Sequence, residues 1–103
     1  MRGLTRRSAL SCVGAGWSKL INNLYDAKPK DVVVIQVKEK YASLRFYVTS
    51  APDWYFDLID HYEDMSSKIC EVCGKPGYTR EYKGWLDTFC DECNDKFIAA
   101  RET

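Results

Sequence analysis

The chain has 103 residues, no net formal charge, 46% hydrophobic residues and 14% aromatic residues. These figures exclude a disordered chain and a uniformly basic nucleic-acid binder, and no apolar run is long enough to span a membrane. A domain of this size buries only roughly 65% of its unfolded surface, so a metal staple would add useful stability.

Residues 1–16 contain Arg2, Arg6, Arg7 and three glycines in no regular period, and are expected to form a basic flexible arm. Thr5-Arg6-Arg7-Ser8-Ala9-Leu10 faintly resembles a twin-arginine export signal. The apolar stretch behind it is short and broken by Gly14 and Gly16, so export is not expected. Gly14-Ala15-Gly16 is too short for a phosphate-binding loop and follows no convincing strand. Cys12 is a lone thiol without a partner cysteine.

Residues 17–69 read as a small α+β core. Trp17, Leu20, Ile21, Leu24 and Tyr25 recur at helical spacing, and Pro29 ends that helix. Asp31 to Lys38 is rich in β-branched residues and predicts a buried strand. Lys38 to Ser43 predicts a turn. Leu44, Phe46 and Val48 then alternate with Arg45, Tyr47 and Thr49, as a strand with one wet face does. The resulting antiparallel hairpin is marginal alone and needs a cover.

That cover is predicted between Ser50 and about Lys68, as a helix capped by Ser50 with Asp53 at its positive end. Trp54, Tyr55, Leu58, Ile59, Tyr62, Met65 and Ile69 fall on one broad apolar face. Asp53, Asp57, Asp60 and Asp64 form the opposite stripe, with Phe56 on the acidic side. Charge is segregated along the chain. Residues 1–30 carry six basic side chains and one acidic, whereas Ala51 to Ser67 carries five acidic side chains and no Lys or Arg.

Residues 70–103 contain Cys70-Glu71-Val72-Cys73-Gly74 and Cys90-Asp91-Glu92-Cys93, two Cys-x-x-Cys pairs separated by sixteen residues. Two intervening residues let one tight turn aim both sulfurs at the same ion, and zinc takes four thiolates tetrahedrally. Gly74 relieves crowding where the backbone turns beside the metal. Two disulfides would use the same cysteines, but nothing else in the chain points to an oxidising compartment. One structural Zn2+ held by Cys70, Cys73, Cys90 and Cys93 is therefore expected, lowering the formal charge to about −2. Residues 78–82 and 85–89 predict two strands joined at Lys83-Gly84, and residues 91–101 a terminal helix. A cysteine turn, a hairpin and a helix opening with the second pair is the order of a treble-clef finger. A zinc ribbon is the alternative.

Four protein ligands leave a structural zinc no open position for water or substrate, so catalysis at the metal is not expected. A metal-dependent nuclease is the remote alternative, but its hairpin would need histidines, and the single histidine, His61, lies on the acidic helix. No catalytic residues are assigned. The acidic row, with Asp53, Phe56, Asp57, Asp60 and Asp64, is a candidate docking face for a basic partner. Arg80, Lys83 and Trp85 on the finger hairpin are the candidate nucleic-acid contacts, aided by the basic arm.

Gly16-Trp17, then Val37-Lys38-Glu39-Lys40-Tyr41 leading to Leu44-Arg45-Phe46-Tyr47-Val48, then Cys70 to Gly77 and Trp85 to Cys90, together carry a resemblance. Over roughly residues 16–93 the chain resembles a group of small four-cysteine zinc-finger accessory proteins encoded by bacteriophages and prophages. It departs from the group at Tyr41-Ala42-Ser43, where an aromatic residue followed by glycines is expected. The resemblance implies a zinc-binding accessory protein acting in the bacterial cytoplasm and carries over no catalytic residues. The expectation is a non-enzymatic protein that binds and inhibits or redirects a host protein complex, such as a defence or transcription assembly. A nucleic-acid-binding regulator is the alternative. Oligomeric state and partner identity are not legible.

Overall fold

A computed structural model describes residues 3–102. Met1, Arg2 and Thr103, at the ends of the expected arm and zinc module, lie outside the described residues. The chain is α+β, with two separate antiparallel strand pairs and four α-helices among the described residues. No described helix is long and apolar enough to cross a membrane.

The described part of the expected arm is not loose. Helix α1 spans Arg6–Ser11, and the Thr5 hydroxyl caps it by accepting from the Ser8 amide at 3.1 Å. Six residues do not hold a helix in water unaided. Here Ala9 is fully buried, and Arg6 reaches Asp26 at 2.7 Å. Asp26 belongs to α2 (Ser18–Ala27), which follows a 3-10 turn at Ala15–Trp17. Trp17, Leu20, Ile21 and Leu24 are buried, as their spacing predicts.

Strands β1 (Val34–Lys40) and β2 (Ser43–Val48) pair antiparallel. The hairpin is tighter than predicted. Its loop is only Tyr41-Ala42, with φ of 51° and 63°. Both positions are left-handed, as a two-residue hairpin with matching twist requires. Glycine would adopt this backbone without strain; Tyr41 and Ala42 adopt it against their Cβ atoms. Val34 and Val37 with Leu44 and Phe46 face the core.

Helix α3 (Asp53–Ser66) begins at Pro52 without a side-chain cap, so the predicted Ser50 cap does not form, and it ends before Lys68. Tyr55 and Ile59 enter the core, and the Tyr55 hydroxyl donates to the Leu24 carbonyl at 2.7 Å. Trp54, expected on the buried face, is 53% exposed. The reason lies in how α3 meets the sheet. It runs beside β2, whose outward amides donate to helix side chains: Leu44 to the Ser66 hydroxyl and Phe46 to the Glu63 carboxylate, each at 2.8 Å. Polar side chains thus close an open strand edge, and the apolar face of α3 is narrower than its periodicity suggests.

The remaining elements are β3 (Tyr78–Tyr82), β4 (Trp85–Phe89) and α4 (Asp91–Glu102). Their apolar core is small: buried Cys70, Phe89 and Cys90, with Cys93 and Phe97 partly buried against them.

Candidate metal centre

The four finger cysteines converge. Their sulfurs all lie within 4.8 Å of one another, with Cys73 and Cys90 sulfurs 3.6 Å apart. Tetrahedral zinc with bonds of about 2.3 Å separates its thiolates by ~3.8 Å, so the spacing fits an ion of that kind. The set is soft and anionic, which favours a thiophilic metal over calcium or magnesium.

Local backbone builds each half. In the first turn the Gly74 amide donates to the Cys70 carbonyl at 2.9 Å, and the Cys70 amide to the Lys75 carbonyl at 2.8 Å. Gly74 has φ of 82°, the conformation its place after the pair predicts. Cys90 stands between the end of β4 and the start of α4, and Cys93 lies in the first turn of α4. The positive end of that helix therefore faces the thiolates. Cys70 and Cys90 are buried, while Cys73 is exposed.

Electrostatics alone do not let four thiolates coexist. Burial opposes ionisation of Cys70, but amide donors from Cys73, Cys90 and Val72 outweigh it and hold that thiol down to about 6. Cys93, hydrogen-bonded beside Cys90 and facing the other sulfurs, is pushed up to about 12. One sulfur ionises early and another holds its proton, a mismatch that a bound divalent cation removes.

The N-terminal segment grips this knuckle. The Gly16 amide donates to the Glu71 carbonyl at 2.8 Å, and the Trp17 indole donates to the Ile69 carbonyl at 2.9 Å. A Cβ on Gly16 would stand 2.6 Å from the Glu71 carbonyl carbon and 2.7 Å from the Gly74 nitrogen. Gly14 likewise lies against Glu71. Gly14-Ala15-Gly16 is thus a close-approach strap. Two glycines ahead of a buried tryptophan are the signal for it, although nothing in the sequence names the partner.

A second cluster was not legible. The carboxylates of Glu39, Glu71 and Asp87 lie within 4.8 Å of one another, and Glu71 Oε2 is buried without a hydrogen-bond partner. Burial first, then the charges of Asp87 and Glu39, push Glu71 up to about 7. A shared proton or a hard cation would relieve this repulsion.

The other predicted site residues divide. Asp53, Phe56, Asp57, Asp60 and Asp64 all lie on the exposed side of α3, with His61 among them. Arg80 is committed internally. Its guanidinium meets Asp91 and Tyr78 and donates to the Phe89 carbonyl, leaving its side chain 15% exposed. Hydrogen bonding to Asp91 raises its pKa further. Lys83 and Trp85 are exposed, and they share a cleft with Tyr82 and Arg101. Cys12 is exposed, and its thiol donates to the Ser8 carbonyl. No family model, curated protein or solved structure matches this chain.

Proposed function

We propose that residues 70–103 form a treble-clef finger around one structural Zn2+, and that the protein is a non-enzymatic accessory factor. In this reading it binds a host protein complex, in defence or transcription, and inhibits or redirects it from within the bacterial cytoplasm. Four cysteine ligands leave zinc no exchangeable position, so the working surfaces lie outside the metal. The observation that carries the docking surface is the exposed face of α3. There Asp53, Asp57, Asp60 and Asp64 flank a 42%-exposed Phe56 beside Trp54. An exposed aromatic within a rim of one charge sign suits a basic protein partner, with the ring as anchor and the carboxylates steering encounter. The host-directed part rests on the phage resemblance.

The test is affinity capture from bacterial cells with the wild-type chain and a variant carrying Phe56→Ala, Asp57→Asn and Asp60→Asn. The expected result is a stable basic partner lost in the variant while both proteins hold one zinc per chain. Equal capture by both overturns the assignment of this face. A second reading, a nucleic-acid-binding regulator, is supported by exposed Lys83 and Trp85 but not by Arg80 or Arg6, whose guanidinium groups are already paired.

A further inference from the structure

The two hairpin tips stand side by side. Tyr41 and Trp85 are the most exposed large apolar side chains in the described chain, at 71% and 68%. They line one cleft of about 270 Å³ together with Glu39, Gly84 and Leu86. On the other side of Trp85 a second cleft of about 230 Å³ is lined by Tyr82, Lys83 and Arg101. Lys40 Nζ sits 5.5 Å from the Tyr41 ring. The junction is built: Thr88, fully buried, donates its hydroxyl to the Ala42 carbonyl and ties one hairpin to the other's loop.

We propose that this paired tip binds single-stranded nucleic acid, with bases stacked on Tyr41 and Trp85 and phosphates held by Lys40, Lys83 and Arg101. The proposal sharpens the nucleic-acid reading and is independent of the acidic face of α3. Exposed rings interleaved with cations are the pattern that stacks unpaired bases without reading sequence. A duplex offers no free base faces to such rings. Charge orients the strand. The Glu39 carboxylate repels a phosphate from the first cleft, so that cleft takes a base, and the Lys83–Arg101 cleft takes the backbone. An acidic protein loop would satisfy the cations but would not need two upright rings.

The experiment is fluorescence anisotropy of the zinc-loaded full chain with labelled fifteen-nucleotide oligothymidine, its RNA counterpart and a duplex of equal length. Single strands are expected to bind more tightly than the duplex, with log affinity falling against log salt at a slope of about −2 for three phosphate contacts. Tyr41→Ala and Trp85→Ala are each expected to weaken binding ~10-fold, Trp85→Phe to restore most of it, and Lys83→Glu to weaken it ~10-fold. Lys30→Glu, a reversal elsewhere on the surface, should change it less than twofold. Zinc content and circular dichroism of each variant confirm folding. Absence of single-strand binding at 50 mM salt overturns the proposal, as does equal loss in Lys30→Glu or full retention in the Tyr41→Ala, Trp85→Ala double variant. Tighter duplex binding overturns it too but leaves the broader nucleic-acid reading standing.

Discussion

Replacing Gly16 with alanine puts a methyl group into the backbone of the metal knuckle, and the cost follows from what it meets. The new Cβ would lie 2.6 Å from the Glu71 carbonyl carbon and 2.7 Å from the Gly74 nitrogen, and closer still to the Cys70 carbonyl oxygen. All three are main-chain atoms that the metal turn holds in place, so the strap must move instead. Overpacking of this kind costs about 1–3 kcal/mol. Displacement also breaks the Gly16–Glu71 hydrogen bond and strains the Trp17–Ile69 one, each worth about 1 kcal/mol. The sum, about 3–5 kcal/mol, is a large share of the roughly 5–15 kcal/mol that holds such a domain together. Gly84 provides the contrast. Its φ is 87°, but an added Cβ there meets nothing within 4 Å, so Gly84→Ala should cost only about 1–2 kcal/mol of left-handed strain. Thermal unfolding should place Gly16→Ala ~20 °C below wild type and Gly84→Ala only ~8 °C below it. A competitive chelator should also strip bound metal faster from Gly16→Ala. Equal midpoints for the two variants, or a Gly16→Ala protein as stable as wild type, would refute the strap.

Chelation of the wild-type protein should melt β3, β4 and α4 while the core built on Trp17, Leu24, Leu44 and Tyr55 survives, because the finger's own apolar cluster is only a few residues. Amide hydrogen exchange read along the chain checks this; uniform protection after metal removal would contradict it. Ser66→Ala should cost about 1–3 kcal/mol in urea unfolding, since it leaves the buried Leu44 amide without an acceptor. A change under about 0.5 kcal/mol would show that α3 does not seal the strand edge. Glu71 holds its proton more tightly folded than unfolded, so its penalty is absent below pH about 4.5 and grows as pH rises to about 7. Glu71→Gln should therefore gain on wild type by about 1 kcal/mol between pH 5 and 8, allowing for solvent screening. A pH-independent difference would remove the carboxylate repulsion as its cause.

Much of this architecture is legible because it obeys short periods. Leu20, Ile21 and Leu24 announce α2, and Leu44 and Phe46 announce β2. The cysteine spacing brings four sulfurs into one cluster. What escapes is held by tertiary contact. Helix α1 is too short to signal itself and depends on Ala9 and Arg6 meeting α2. Trp54 reads as core by angle alone, yet α3 meets the sheet through Ser66 and Glu63, polar groups that hydrophobic periodicity ignores. Tyr41-Ala42 lacks the glycine that marks a two-residue turn. Glu39, Glu71 and Asp87 lie far apart in the chain, and only the packing of the finger against the first hairpin makes them neighbours. Arg80 looks like a free cation until Asp91, eleven residues on, is seen beside it.

The strap also sets an order of assembly. Trp17 and its acceptor Ile69 are separated by 52 residues, and Thr88 follows Ala42 by 46. At ribosomal speeds the tryptophan emerges ~3–10 s before the carbonyl it will meet. During that interval the early half of the chain has one flank uncovered, and the four-sulfur cluster cannot close before Cys93 has emerged. Metal-starved cells would therefore accumulate half-finished molecules, open to proteases at the very seam that the finished protein hides.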